Sequence, residues 1–170
     1  MATVSTSSTQ ITNRDASPRV MSPGRITRGS MLCSCGTLEA TAADDIGSKY
    51  KLASIPSNAV VKQVLLSCDS LGTAGAVDIG IYQTTDNGGA VVDADFFASA
   101  QVLTSALANL DVTFEANGAN ASYDKAMVEK PLWQAMGLTA DSKRDYDVVA
   151  TVTAANISAG TISLQVLYAI

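Results

Sequence analysis

Residues Tyr146–Tyr168 read YDVVATVTAANISAGTISLQVLY, and the reading of this stretch decides the fold. In its second half Ile162, Leu164, Val166 and Tyr168 alternate with Ser163, Gln165 and Leu167. A period of two marks a strand with one buried face, because successive side chains point to opposite sides. The first half, Tyr146–Thr153, is rich in β-branched residues, which fit a pleated surface. The two halves flank the loop Ala154–Gly160, and together they predict a C-terminal hairpin.

The same period runs through most of the chain. Val77, Ile79 and Ile81 alternate with Asp78, Gly80 and Tyr82, and Leu110, Val112 and Phe114 with Asp111, Thr113 and Glu115. Ala59–Cys68 is more continuously apolar, broken by Lys62 and Gln63, and predicts a central strand covered on both faces. Met31–Leu38 is a further strand interrupted by Gly36. Turn residues separate these runs: Leu71–Gly75, Asp86-Asn87-Gly88-Gly89 and Asn117–Asn120. The Gly72–Gly75 and Gly88-Gly89 segments read as hairpin loops. Helix signals are few. Pro131–Gly137 has Pro in the first turn and Gly at the end, which predicts about two turns. Asp93 is placed to cap a second short helix through Phe96, Phe97 and Ala100, with an Ala-rich extension toward Leu107. The sum is an all-β chain, a β-sandwich of jelly-roll type with short helical inserts, and no internal repeat.

Composition narrows the chemistry. The 170 residues include no histidine, which removes Ser-His-Asp hydrolysis, Cys-His catalysis and His-ligated zinc. The apolar share is 47%, the charged share 16%, and the mean hydropathy +0.20, a folded domain's composition with few charges to cover its surface. No apolar run is long enough to span a membrane, and residues 1–20 lack the apolar core of a signal peptide. A soluble protein made in a cytoplasm is expected. The cysteines are Cys33, Cys35 and Cys68, an odd number at spacings unlike a disulfide framework. They read as three buried small hydrophobes, with Cys33 and Cys35 on one face of a strand. Three thiols without a fourth ligand make a poor metal site.

Charge divides the chain near residue 30. Residues 1–30 hold eleven Ser or Thr and carry Arg14, Arg19, Arg25 and Arg28 against Asp15, a net +3. Residues 31–170 are −8, giving −5 overall. Two units are therefore expected: an extended basic arm, 1–30, kept open by Pro18 and Pro23, and a sandwich domain, 31–170. Four arginines neutralise few phosphates, and an acidic body repels nucleic acid. The arm is thus read as binding a neighbouring protein surface through Arg14, Arg19, Arg25 and Arg28, and not as a solvated tail or a nucleic-acid contact.

Catalytic and cofactor motifs are missing from the sequence: no G-x-S-x-G elbow, no phosphate-binding glycine loop, no calcium loop. The acid groups Asp44-Asp45, Asp93 with Asp95, and Asp141…Asp145…Asp147 read as capping and turn chemistry. Asp93 and Asp95 share a face only where that segment is extended. Trp133 reads as a core or interface anchor, and so as a second partner-binding candidate. No cofactor, metal or catalytic residue is expected.

Three stretches carry a family resemblance: Ala76–Ala100 (AVDIGIYQTTDNGGAVVDADFFASA), Lys51–Val64 (KLASIPSNAVVKQV), and Pro131 to the C-terminus. They resemble small structural proteins of tailed-bacteriophage heads, of the capsid decoration or cement kind. The resemblance covers most of 29–170 and leaves out the arm. It implies a jelly-roll or related sandwich on the outside of the head, bridging major capsid protein subunits as a dimer or trimer, with no catalytic residues. Two other readings share the residues. One is a tail- or fibre-associated glycan-binding module using Trp133 or the Asp86–Gly89 loop. The other is a shell-forming coat protein.

Overall fold

The computed structural model describes residues 5–27, 29–42, 44–114, 122–154 and 157–170. Among them are three short helices, α1 (Thr9–Asp15), α2 (Gly24–Thr27) and α3 (Leu132–Ala135), and eight strands. The strands are β1 (Met31–Ala40), β2 (Lys49–Pro56), β3 (Val60–Cys68), β4 (Ala76–Gln83), β5 (Val91–Val102), β6 (Leu107–Asp111), β7 (Asp145–Val152) and β8 (Gly160–Ala169). They form two antiparallel four-stranded sheets, ordered β1-β8-β3-β6 and β2-β7-β4-β5. This is the eight-stranded jelly roll.

The inner faces of the two sheets make the core. Val64, Leu66, Ile162, Leu164 and Val166 of the first sheet meet Val77, Ile79, Ile81, Val148, Ala150 and Val152 of the second, all buried. An aromatic group closes one end. Phe96, Phe97 and Tyr123 have ring centroids 5.0–5.6 Å apart, and Phe114 stacks on Tyr123 at 5.8 Å. The Tyr123 hydroxyl donates to the Val61 carbonyl at 2.8 Å, which satisfies it inside the core.

Several expectations are corrected. Tyr146–Thr153 and Thr161–Tyr168 are strands, but they do not form a hairpin. β7 pairs with β2 and β4 in one sheet, and β8 with β1 and β3 in the other. Leu71–Gly75 likewise joins β3 to β4 across the sheets, so it is not a hairpin loop either. The Thr84–Gly89 connection does join a paired β4 and β5, with Gly88 at φ 96° and Gly89 at φ 64° as that loop requires. Asn117–Asn120, like Glu115, lies outside the described residues.

The helix expected from Asp93 is β5. Two consecutive buried phenylalanines and nearby alanines mimic a helical face. Instead, the pairing jumps from Ile79↔Ala98 to Ile81↔Asp93, a wide bulge that turns both rings inward and breaks the alternation. Gly80 lies beneath this bulge; a Cβ there would sit 2.2 Å from the Asp93 and Ala94 carbonyl oxygens. The Leu110–Phe114 run leaves the ladder after Asp111. Val112 and Thr113 are both buried, and the Thr113 hydroxyl accepts from the Val64 amide at 2.8 Å where a backbone carbonyl would otherwise serve. β3 is central as expected, but its outward side is only half covered, with Gln63 exposed. α3 is one turn, not two, with Pro131 before it and Gly137 at φ 75° after it. The arm has no buried residue in its helices, yet it is not extended throughout, since α1 and α2 interrupt it.

Gly80→Ala is expected to destabilise the fold by about 2–3 kcal/mol, the cost of overpacking against backbone. Gly24→Ala, with nothing within 4 Å, should leave stability unchanged. Urea midpoints at constant slope check both.

Candidate functional site

The arm is the first candidate. Arg14 donates to Asp15 through Nε at 2.7 Å and Nη2 at 3.0 Å, so the arm's single acid is used within the arm. That hydrogen bond raises the Arg14 pKa and lowers that of Asp15, with a smaller pull from Arg19. The Arg25 Nε is out of water with no acceptor in the structure. Arg28 lies outside the described residues. Between α1 and Arg19–Gly24 runs a shallow cleft of about 360 Å³, lined by Ile11, Arg14, Arg19, Val20 and Met21. Met21 is 80% exposed and Val20 50%, which leaves an apolar strip beside the cations. The arm meets the body where Gln10 Nε2 donates to Glu129 Oε1 at 3.1 Å.

Trp133 is half-buried on α3 and does not line the arm cleft, so the structure does not bring the partner-binding candidates together. Its amide donates to the Ser57 carbonyl at 2.9 Å, and the Leu132 amide to Ala59 at 2.7 Å, which pins α3 to the β2–β3 turn. The Ser57 hydroxyl also donates to Asp141 and accepts from the Arg144 amide, so one buried serine ties three segments at that end.

The acid groups are structural in most places. Asp44 accepts from the Thr41 amide at 2.8 Å and the Tyr50 hydroxyl at 2.7 Å, and the Thr41 amide leads in holding its pKa below the usual carboxylate range. Asp141 is held low by Ser57 first and by the Lys143 amide. Asp147 pairs with Lys51 at 3.1 Å. Asp93 and Asp95 lie together at the bulge of β5, close enough for their carboxyl groups to share a hydrogen bond. Asp95 is pushed above its ordinary value, by the hydrogen bond with Asp93 first and then by burial, while Asp93 accepts from Ser122. Among the described residues no group of three Cys, Asp or Glu is placed to hold a metal ion.

The outward face of the β1-β8-β3-β6 sheet is the feature that sequence reading missed. Its three central rows are Cys33–Leu167–Gln63, Cys35–Gln165–Leu65 and Thr37–Ser163–Ser67. None of these residues is charged, but the fourth strand, β6, sets Asp111 beside Leu65 in the middle row. Asp111 accepts from Gln63 at 3.2 Å, and Glu39, two residues beyond Thr37 on β1, accepts from Thr161 at 2.5 Å. Cys33 and Cys35 are exposed here, which corrects the expectation that they are buried; Cys68 is buried. They do share one face, as the spacing requires. The other sheet presents Lys49, Lys51, Asp78 and Asp147, with the Lys49 ammonium 5.0 Å from the centre of the Tyr82 ring. The signal was present in the sequence as uncharged residues at every second position of β8 and of β1 as far as Thr37.

No family model matches the chain, and no characterised protein matches it by sequence. Among solved structures it is similar to a chain of the cyanophage Pam1 capsid asymmetric unit, at 19% identity and a TM-score of 0.50, over 89% of this chain and 93% of that one. It also aligns with a chain of the capsid of Ralstonia phage GP4, at 18% identity and 0.47, over 88% and 90%. The fold is therefore shared with a phage capsid chain, in agreement with the resemblance carried by the sequence.

Asp95→Asn is expected to raise the thermal midpoint at pH 7. The folded-state pKa of Asp95 lies above its unfolded value, so its favourable share is present below the unfolded pKa and lost as pH rises through the folded one. The variant's advantage should vanish toward pH 3, which melting curves across that range check.

Proposed function

We propose that this chain is a non-enzymatic virion structural protein, a decoration or cement protein that binds the outside of a phage head and bridges major capsid protein subunits. The observation that carries the reading is a jelly roll, shared with a Pam1 capsid chain, joined to a basic, unburied arm. Synthesis in the host bacterial cytoplasm and residence on the capsid surface follow from that reading, with the major capsid protein as partner and a homo-oligomer as the working unit.

Physical reasoning supports bridging. A protein that binds only the assembled lattice stabilises it by mass action. Many copies, each with an arm, gain avidity without strong single contacts. The arm brings exposed apolar residues beside Arg19, a pairing suited to an interface core with a charged rim. A shell-forming coat protein would share the fold and the arm, and the same experiment separates the two.

Deleting residues 2–28 should weaken binding to expanded heads by at least about tenfold, the loss of one or two buried contacts. Occupancy is read by gel densitometry of purified heads. Unchanged occupancy would remove the arm's role, and closed particles formed by the chain alone would favour the coat reading.

A further inference from the structure

We propose that Cys33 and Cys35 form a two-coordinate site for a soft monovalent cation, copper(I), on the outward side of edge strand β1. The site is independent of the proposed function.

Both cysteines are exposed on β1, while Cys68 is buried on β3. Residues two apart on a strand point to the same side. The β1–β8 ladder runs without a bulge from Met31 to Ala40, so this alternation holds at both positions. β1 stands at the end of its sheet, which leaves the pair open to solvent.

A rise of about 3.3 Å per residue sets the two Cα atoms about 6.6 Å apart. Cα atoms joined by a disulfide are mostly about 5.5–6 Å apart, so a direct sulfur–sulfur bond would pull the strand out of shape. An ion between the sulfurs lengthens the link by a second bond and removes that demand. The side chains do reach each other. Cys33 is raised above its ordinary value by desolvation first, then by the charge of Cys35 and a hydrogen bond with it.

The ligand count selects the metal. Structural zinc takes four ligands, and catalytic zinc three with water. Among the described residues no third Cys, Asp or Glu joins the pair to hold a metal. Across the ladder stand an apolar side chain, Leu167, and a neutral amide, Gln165. Thiolates are soft ligands that select copper(I), and this ion is satisfied by two of them in a line. Binding exchanges protons and not electrons. Each thiol releases its proton to water, two sulfur–copper bonds form, and the ion stays copper(I).

Anaerobic titration of the reduced full chain with copper(I), against a coloured copper(I) chelator, tests this. One copper per chain is expected, and X-ray absorption should show it bound by two sulfurs. Cys33→Ser and Cys35→Ser, each at an exposed position, should each lose the complex. Cys68→Ala and, on the same side of β1 as the pair, Thr37→Ala should keep it. Zinc in excess should not displace the copper. Circular dichroism melting confirms that the variants remain folded. No binding by the parent, one copper shared by two chains, binding retained by either serine variant, or displacement by zinc would overturn the proposal.

Discussion

The apolar layer between the two sheets is the constraint on which the rest depends. Each strand has two sides, and the layer takes one of them, so the opposite side is released to face outward. Because sheet partners alternate along the chain, most connections must cross from one sheet to the other. β1 and β2 belong to different sheets yet lie edge to edge, with Gly36 so close to the Leu52 carbonyl oxygen that a Cβ would stand 1.9 Å from it. The Ser34 hydroxyl accepts from the Ser54 amide at 3.1 Å across the same seam, which covers part of an edge that would otherwise invite pairing. On the opposite side the bulges of β5 bend that edge strand inward and deliver Phe96 and Phe97 to the core.

This layer also explains what the sequence made legible. β4, β7 and β8 keep alternation on their buried side, β3 does so from Val64 onward past a bulge at Lys62, and each was readable. In β2 the buried residues are Tyr50, Leu52 and Ile55, and a bulge at Leu52 shifts their phase by one. In β5 the phase shifts more, and a strand looks like a helix. Alternation reports that a face is buried but not against what, which is why β7 and β8 read as a hairpin. The arm's cations were legible from composition, and its two helical turns were not, since no apolar period marks them. The uncharged rows of β1, β8 and β3 were visible residue by residue, yet they form a patch only when the three strands are set side by side.

The two outward faces have diverged in chemistry while sharing one core. On one, Lys51 meets Asp147, Lys49 lies over Tyr82, and Tyr82 bonds Thr151 at 2.8 Å, a network suited to water. On the other, hydroxyls, amides and thiols of β1, β8 and β3 offer hydrogen bonds, and Asp111 and Glu39 are the carboxylates beside them. The uncharged groups of this face cost less to remove from water than the ions of the other, because they lose less hydration.

The arm extends the same logic. Arg14 consumes Asp15, and Arg25 keeps its Nε from water without an acceptor, a condition that costs about 1–3 kcal/mol for a buried donor. The net acid of the chain lies on the body, which the arm touches through the neutral amide of Gln10. The arm's short helices, with no buried residue, give little reason to stay folded against one chain alone.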